Sequence, residues 1–353
     1  MDLLQTDIAE IVETLGPLAE EFAGKRILIA GGRGFLGRYF SEVFLALNEK
    51  LDEPCEVVVL DNFITAGATG SAVPKRRHFA FVNHDITKPF YPERPVHFII
   101  QAAGIASPYY YRKYPLETLE VATVGLKNTL EIAKTHKARL IFFSSSEIYG
   151  DPDPRHVPTK ESYRGHVGCL GPRACYDESK RLGETLVQIY HQQMGVQSCI
   201  IRPFNVYGPG MQQTDYRVLP NFAARYVSGE TLQVYGTGKQ TRTYCYVVDA
   251  IRGFLQVLVN GTPGEPYNIG NPKPELSVLE LVQTIERVVG KDLPKIVTEH
   301  PDSYPADEPN RRCPDITKAH AHVNYQPKIT LDEGLKRFFT WAKEAYKEDP
   351  ASA

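Results

Sequence analysis

Short runs of consecutive apolar residues recur along residues 26–205: RILIA, CEVVVLD, HFAFV, HFIIQAA, ARLIFFSSS and QSCIIRPFN, with amphipathic stretches between them. Runs of that length without alternation read as strands covered on both faces, and strands alternating with helices predict an α/β, doubly wound parallel sheet. Ahead of the first run, Leu3, Leu4, Ile8, Ile11, Val12, Leu15 and Leu18 fall at helical spacing, which predicts an added helix for packing or dimer contact. After about residue 205 the pattern changes to short strands (TLQVY, TYCYVV, PYNIG) and helices around 216–227, 249–260, 277–289 and 331–346. Clusters such as NVYGPG, GTGKQT and PDSYPADEP punctuate that part. The division expected is a helical extension over residues 1–24, a sheet domain over 25–205, and a smaller C-terminal lobe over 206–353 that closes over the carboxyl edge of the sheet.

The turn after the first run, AGGRGFLGR, places Gly31, Gly34 and Gly37 where a strand hands over to a helix, with Phe35 and Leu36 between the glycines. Glycines there let the backbone approach a pyrophosphate, whose charge a helix N-terminus favours, so the sheet is expected to be of the Rossmann type and to bind a dinucleotide. The spacing is GxxGxxG rather than GxGxxG. Asp61, followed by Asn62, ends the second run; a carboxylate at that position accepts from ribose hydroxyls and repels a 2′-phosphate, which selects NAD. Arg33 in the glycine turn pulls the other way, because a guanidinium can pair with that phosphate. Asp85 and Ile86 after the third run are expected to flank the adenine, and Ala102, Ala103 and Gly104 to lie under the cofactor.

Tyr176 and Lys180 in GPRACYDESKR are spaced to share one helix face, where an ammonium can lower a phenol's pKa. With 20 tyrosines in the chain, about one such spacing is expected by chance, and a second does occur, Tyr109 and Lys113 in SPYYYRKYP. Context separates the two. Ser144, Ser145, Ser146 and Glu147 follow the fifth run, at the carboxyl edge where open α/β sheets place ligands, and Tyr176 and Lys180 open the next helix.

Composition excludes several classes. The formal net charge of −2 leaves no electrostatic footprint for nucleic acid or an anionic membrane. No run approaches a membrane span, and the acidic start MDLLQTDIAEIVETLGPLAEEF lacks the features of a signal peptide. Six cysteines without CxxC spacing imply reduced thiols, a cytoplasmic setting and no metal site.

The motifs GGRGFLG, LDNFIT, AGIASP, SSSEIYGDP, GPRACYDESKR, RPFNVYGPGM, VYGTGKQTRTY and RRCPDI together resemble the extended short-chain dehydrogenase/reductases, and within them the UDP-glucuronate decarboxylases (UDP-xylose synthases), over about residues 25–345. The resemblance implies a carboxy-lyase with tightly bound, catalytic NAD. NAD oxidises the sugar at C4, the β-keto acid loses carbon dioxide, C5 is protonated, and the retained NADH reduces C4 again. Tyr176 is then the base at the C4 hydroxyl and Lys180 holds the nicotinamide ribose. Ser145 bonds the C4 oxygen, while Glu147 positions the sugar and its carboxylate.

By the same resemblance Arg242 lies near the sugar carboxylate or the diphosphate. Ser146, Asn205, Arg217, Asn221, Tyr235 and Arg312 contact the nucleotide sugar. Tyr111 lies over the sugar pocket, which makes Tyr109/Lys113 a lid rather than a second dyad. A homodimer is implied, formed by the helices around 109–136 and 176–194.

Related 4,6-dehydratases resemble Thr-Asp-Glu where this chain has Ser145-Ser146-Glu147, and Ser146 cannot protonate a departing hydroxyl. 4-Epimerases usually lack a glutamate at the position of Glu147. An apiose/xylose synthase would decarboxylate and also rearrange the ring. A cofactor-bound scaffold with a dead site would require loss of Tyr176 or Lys180. Two departures stand out. Ala122 occupies a position where the family commonly has Asn, which implies a rearranged cofactor pocket, and the segment NFITAGATGSAVPKRR is long and rich in Gly and Ala.

Overall fold

The computed structural model describes residues 2–65, 75–299 and 309–347. The six apolar runs all form strands: β1 (Arg26–Ala30), β2 (Glu56–Asp61), β3 (Phe79–Asn83), β4 (Phe98–Gln101), β5 (Arg139–Phe143) and β6 (Ser198–Pro203). They pair in parallel in the order β6-β5-β4-β1-β2-β3, and a seventh strand, Pro266–Ile269, adds to β6 at the outer edge. This last strand is PYNI, placed by its sequence position in the C-terminal lobe. Tyr267 and Ile269 are buried, so it serves as one more covered strand of the main sheet.

Helices cover both faces of the sheet and produce two apolar layers, one around Ile29, Phe44 and Phe143, the other around Leu28, Leu130 and Phe142. On one side lie α2 (Phe35–Leu47) and, later in the chain, Val247–Asn260. Val247 and Val248, read from the sequence as part of a strand TYCYVV, begin that helix; only Cys245–Tyr246 pairs as a strand. On the other side α3 (Pro108–Lys113), α4 (Pro115–Glu120) and α5 (Leu126–His136) lead to the long α6 (Ala174–Met194).

A five-residue π turn, Val121–Gly125, joins α4 to α5 and carries Ala122, which is buried. Its carbonyl oxygen would lie 3.1 Å from a Cβ at Gly183 of α6, and the Phe142 ring 2.4 Å from that same Cβ. Glycine at 183 thus lets α6 settle against the sheet and the backbone at Ala122.

The N-terminal extension forms α1 (Leu3–Leu15), which buries Ile8, Ile11, Val12 and Leu15 against α2 and the helix Val247–Asn260. Its packing role is accompanied by something the periodicity did not reveal, a buried carboxylate. Asp7 accepts from Tyr39 (3.2 Å), Tyr246 (2.7 Å) and Arg337 (3.1 Å), tying the extension to the C-terminal helix Leu331–Ala345. Burial nevertheless raises the Asp7 pKa to about 6.

The expected helices of the C-terminal part appear as Val218–Ser228, Val247–Asn260, Val278–Val289 and Leu331–Ala345. Residues 66–74 of the long segment after Asp61 and most of PDSYPADEP lie outside the described residues. Among the described residues no helix is long and apolar enough to cross a membrane, no acidic, His or Cys group could hold a metal ion, and the six cysteines are unpaired.

Candidate active site

The glycine turn is built by close approach. Gly31 has φ +81°, and a Cβ on it would lie 2.5 Å from the Ala103 backbone; a Cβ on Gly37 would lie 2.1 Å from the Gly31 carbonyl oxygen. Only glycine at both positions allows β1 to turn into α2 beside the end of β4. Gly34 caps α2, so the first N–H groups of the helix open toward the cleft. Asp61, at the end of β2, accepts from the Arg33 and Phe63 backbone N–H groups, each at 2.8 Å. Burial pushes its pKa up, those two N–H groups oppose the rise, and the nearby Arg33 guanidinium opposes it further. Arg33 is therefore a neighbour of the Asp61 carboxylate.

One cavity is lined by Gly31, Asp61, Asn62, Asp85, Ile86, Ala102 and Ala103. It runs into a second lined by Phe35, Leu36, Gly37, Ser144, Ser145, Ser146, Tyr176 and Lys180. The two share Gly31, Gly34, Thr65, Ala102 and Gly104. A backbone cradle with no room for side chains, a helix N-terminus and a strand-end carboxylate fit a dinucleotide along this trough.

At the far end stand Tyr176 and Lys180, brought there by one face of α6. Lys180 Nζ donates to the Phe143 carbonyl (2.7 Å), and one turn further Glu184 accepts from Ser144 Oγ (2.6 Å) and from Arg202 of β6 (2.6 and 2.9 Å). Tyr176, Lys180 and Glu184 thus lock three successive turns of α6 onto the carboxyl ends of β5 and β6. Burial raises the Tyr176 hydroxyl to about 12 despite its hydrogen bond with Ser145, and burial lowers Lys180 to about 8. The expectation that the ammonium lowers the phenol is not what this arrangement gives. Desolvation disfavours the charged form of each group, and it dominates at both. The Tyr111 ring stacks on Tyr176 with centroids 5.5 Å apart and planes 16° apart.

Ser145 caps a short turn and accepts from the Glu147 N–H (3.2 Å), which fixes the direction of that carboxylate. Glu147 is gripped by a bidentate fork from Arg312, both bonds at 2.6 Å, and by Arg173. Burial alone would raise its pKa, but Arg173, Arg312 and Arg242 hold it well below the ordinary carboxylate range. Arg173 also reaches Asp177 at 3.5 Å, where burial and the Glu147 charge push the carboxyl up to about 7.

Sequence reasoning passed over Arg173 and Asp177, though both stand in the quoted motif GPRACYDESKR. The available signal was a cation at the cap of a helix, where the macrodipole disfavours it, three residues ahead of the tyrosine.

A third cavity shares Glu147, Tyr176, Asn205 and Arg217 with the second, and is also lined by Tyr111, Asn221, Tyr235, Arg242 and Arg312. Its charged lining is Glu147 with Arg173, Arg217, Arg242 and Arg312. Arg242 donates to the Thr241 and Pro309 carbonyls (2.8 and 2.6 Å), Arg217 pairs with Asp215, and Asn205 Nδ2 donates to Thr243 O (2.8 Å). The Tyr235 hydroxyl donates to Gln233 (2.8 Å). Asn221 Oδ1 and the Tyr111 hydroxyl are buried there without a hydrogen-bond partner, polar atoms suited to a polar ligand. The structure thus brings all the sequence-identified residues to one continuous trough, and separates from it the second Tyr/Lys pair: Lys113 is exposed and lies over the Tyr114 ring.

Known proteins resemble this chain in sequence and in architecture. A UDP-glucuronic acid decarboxylase 1 of Xenopus tropicalis is 40% identical over 314 residues, covering 89% of this chain and 71% of the relative. A UDP-glucuronic acid decarboxylase 6 of Arabidopsis thaliana is 40% identical over 313 residues, 88% of this chain and 86% of the relative. Among solved structures, a UDP-glucuronic acid 4-epimerase from Bacillus cereus in complex with UDP-glucuronic acid and NAD has a TM-score of 0.76 at 25% identity, covering 91% of this chain and all of that one (100%). Residues 27–270 match the NAD dependent epimerase/dehydratase family, and the chain belongs to that family.

Proposed function

We propose that this protein converts UDP-glucuronate to UDP-xylose, as a decarboxylase that uses NAD catalytically. The observation that carries the reading is the charge of the substrate cavity: four arginines, Arg173, Arg217, Arg242 and Arg312, line it with a single carboxylate, Glu147, beside Tyr176. A diphosphate together with a sugar carboxylate supplies the anions such a lining needs, and guanidinium forks suit both. Gly31, Gly34, Phe35, Leu36, Gly37, Asp61 and Lys180 would hold NAD, which supplies a reversible two-electron acceptor beside the sugar.

Tyr176 takes the proton from the C4 hydroxyl, and Ser145 bonds the same oxygen. The tyrosine's raised pKa is the resting state of a buried phenol. Its deprotonation is coupled to the buried ammonium of Lys180, whose charge is favoured once the phenolate forms. Loss of carbon dioxide from the resulting 4-keto acid needs no metal. It needs the carboxylate held out of the sugar plane, a task for Arg242 and the Glu147–Arg312–Arg173 cluster. Glu147, kept ionised by its arginines, repels the substrate carboxylate and so favours its departure, and it orders the water that protonates C5. The proton then returns from Tyr176 to the C4 oxygen.

We further propose a homodimer. Leu116, Leu119 and Val124 along α4 and the π turn, and Leu182 and Ile189 on the adjacent α6, are exposed apolar side chains on neighbouring helices. The unpaired cysteines support a reducing, cytoplasmic setting.

The test is incubation of the purified protein with NAD and UDP-glucuronate. Carbon dioxide and UDP-xylose without accumulating NADH are expected. A product that keeps its carboxylate would indicate a 4-epimerase, and stoichiometric NADH a dehydrogenase. For the dimer, sedimentation of a Leu119→Lys, Leu182→Lys variant should give monomer.

A further inference from the structure

We infer that Tyr109 and Tyr216 form a clasp over the seam between the cofactor and substrate cavities, which holds the dinucleotide in place through the catalytic cycle. The inference rests on the proposed function only for the reason such retention is needed: the electrons removed from C4 must return to the same sugar.

The two rings stack with centroids 5.1 Å apart and planes 24° apart, although they stand far apart in sequence. Tyr109 lies on α3, and Tyr216 lies in the loop that follows the strand Val206–Tyr207. They are 43% and 51% exposed, so the stack is a surface contact across the cleft mouth and not part of a core. Further contacts draw the same two segments together. Tyr110 packs edge-on against Tyr109 at 5.1 Å, its hydroxyl lies 3.5 Å from Thr214 Oγ1, and Gln212 Nε2 donates to the Thr65 carbonyl at 3.2 Å. Tyr110, Gln212 and Thr65 line the cavity that contains Lys180, whereas Tyr216 lines the arginine-bearing cavity. The loop's base is fixed, with Arg38 donating to Gly210 O (3.2 Å) and Tyr346 to Met211 O (3.0 Å). A loop anchored at its base and joined at its tip by stacked rings can open by breaking a few exposed contacts. A single aromatic stack has the strength to slow release without preventing it.

The experiment follows NADH release from NADH-loaded protein, chased with excess NAD and read by nicotinamide fluorescence, without substrate. Tyr216→Ala and Tyr109→Ala should each speed release roughly three- to tenfold, the effect of losing one aromatic pair. The double variant should release no faster than either single one, because both remove the same contact. Tyr216→Phe keeps the ring and should release at the parent rate. Alanine variants that release at the parent rate, or a Tyr216→Phe that releases as fast as Tyr216→Ala, would overturn the clasp. Absence of UDP-xylose formation by the parent protein would instead overturn the proposed function, and leaves the release measurement to decide the clasp.

Discussion

The chain carries the Tyr-x-x-x-Lys spacing twice, and the two copies have opposite environments. Tyr176 and Lys180 are both buried, on a helix locked at three successive turns to the ends of β5 and β6, with the lysine bound to a strand-end carbonyl. Tyr109 and Lys113 are both exposed on the short helix α3; there the tyrosine stacks on Tyr216 and the lysine rests over Tyr114. Spacing alone is met by both. What differs is desolvation, which raises the pKa of the Tyr176 hydroxyl and lowers that of Lys180. At the surface the same pair is solvated and contributes shape. The difference teaches that the dyad is made by the strand edge it docks on.

The comparison can be broken most directly at the phenols. Tyr176→Phe should reduce kcat by about 10³-fold or more in a carbon dioxide release assay, the scale of a lost general base, while NAD stays bound. Tyr109→Phe, which keeps the ring, should change kcat by less than about twofold.

The lysines give the next largest contrast. Lys180→Met should lower kcat about 10²-fold, and Lys113→Met should leave it within about twofold. Stability carries a second signature. Because the folded pKa of Lys180 is depressed to about 8 from 10.5, its burial costs stability below pH 8, and that cost fades as the pH rises from 8 toward 10.5. The gap in thermal unfolding between the parent and Lys180→Met should therefore narrow over that window. No such pH dependence is expected from Lys113→Met.

Glu147→Gln sharpens the role of the surroundings. It leaves Arg173 and Arg312 without their shared carboxylate, and should cost about 3 kcal/mol in denaturant unfolding at neutral pH. The folded pKa of Glu147 is depressed, so its contribution is present in full above the unfolded value of 4.5 and is lost as the pH falls below that toward the folded pKa. Parent and variant should converge in stability on acidification. The smallest change is expected from Arg33→Ala. Its guanidinium opposes the burial-driven rise of the Asp61 pKa, so NAD affinity should fall by about threefold or less in a titration.

Much of this was legible in the residues. Continuous apolar runs gave the strands because strands covered on both faces admit no polar alternation, and the glycine turn was readable because φ +81° at Gly31 and the contact at Gly37 leave no alternative side chain. What stayed hidden depends on contacts distant in sequence. Asp7 reads as an ordinary polar position of an amphipathic helix until Tyr246 and Arg337 meet it. PYNI reads as a peripheral strand until it pairs with β6. Arg312, expected on the nucleotide sugar, is bonded to Glu147, a contact spanning 165 positions that no local pattern encodes.

The central claim is that the hydride removed from C4, while Tyr176 takes the hydroxyl proton, is returned to the same C4 after a decarboxylation. It is tested most directly with UDP-glucuronate deuterated at C4, turned over in ordinary water in the presence of excess unlabelled NAD. The account predicts UDP-xylose that keeps the deuterium at C4, released with one equivalent of carbon dioxide. UDP-xylose that has lost the C4 label, or a labelled product that still bears its carboxylate, would contradict it.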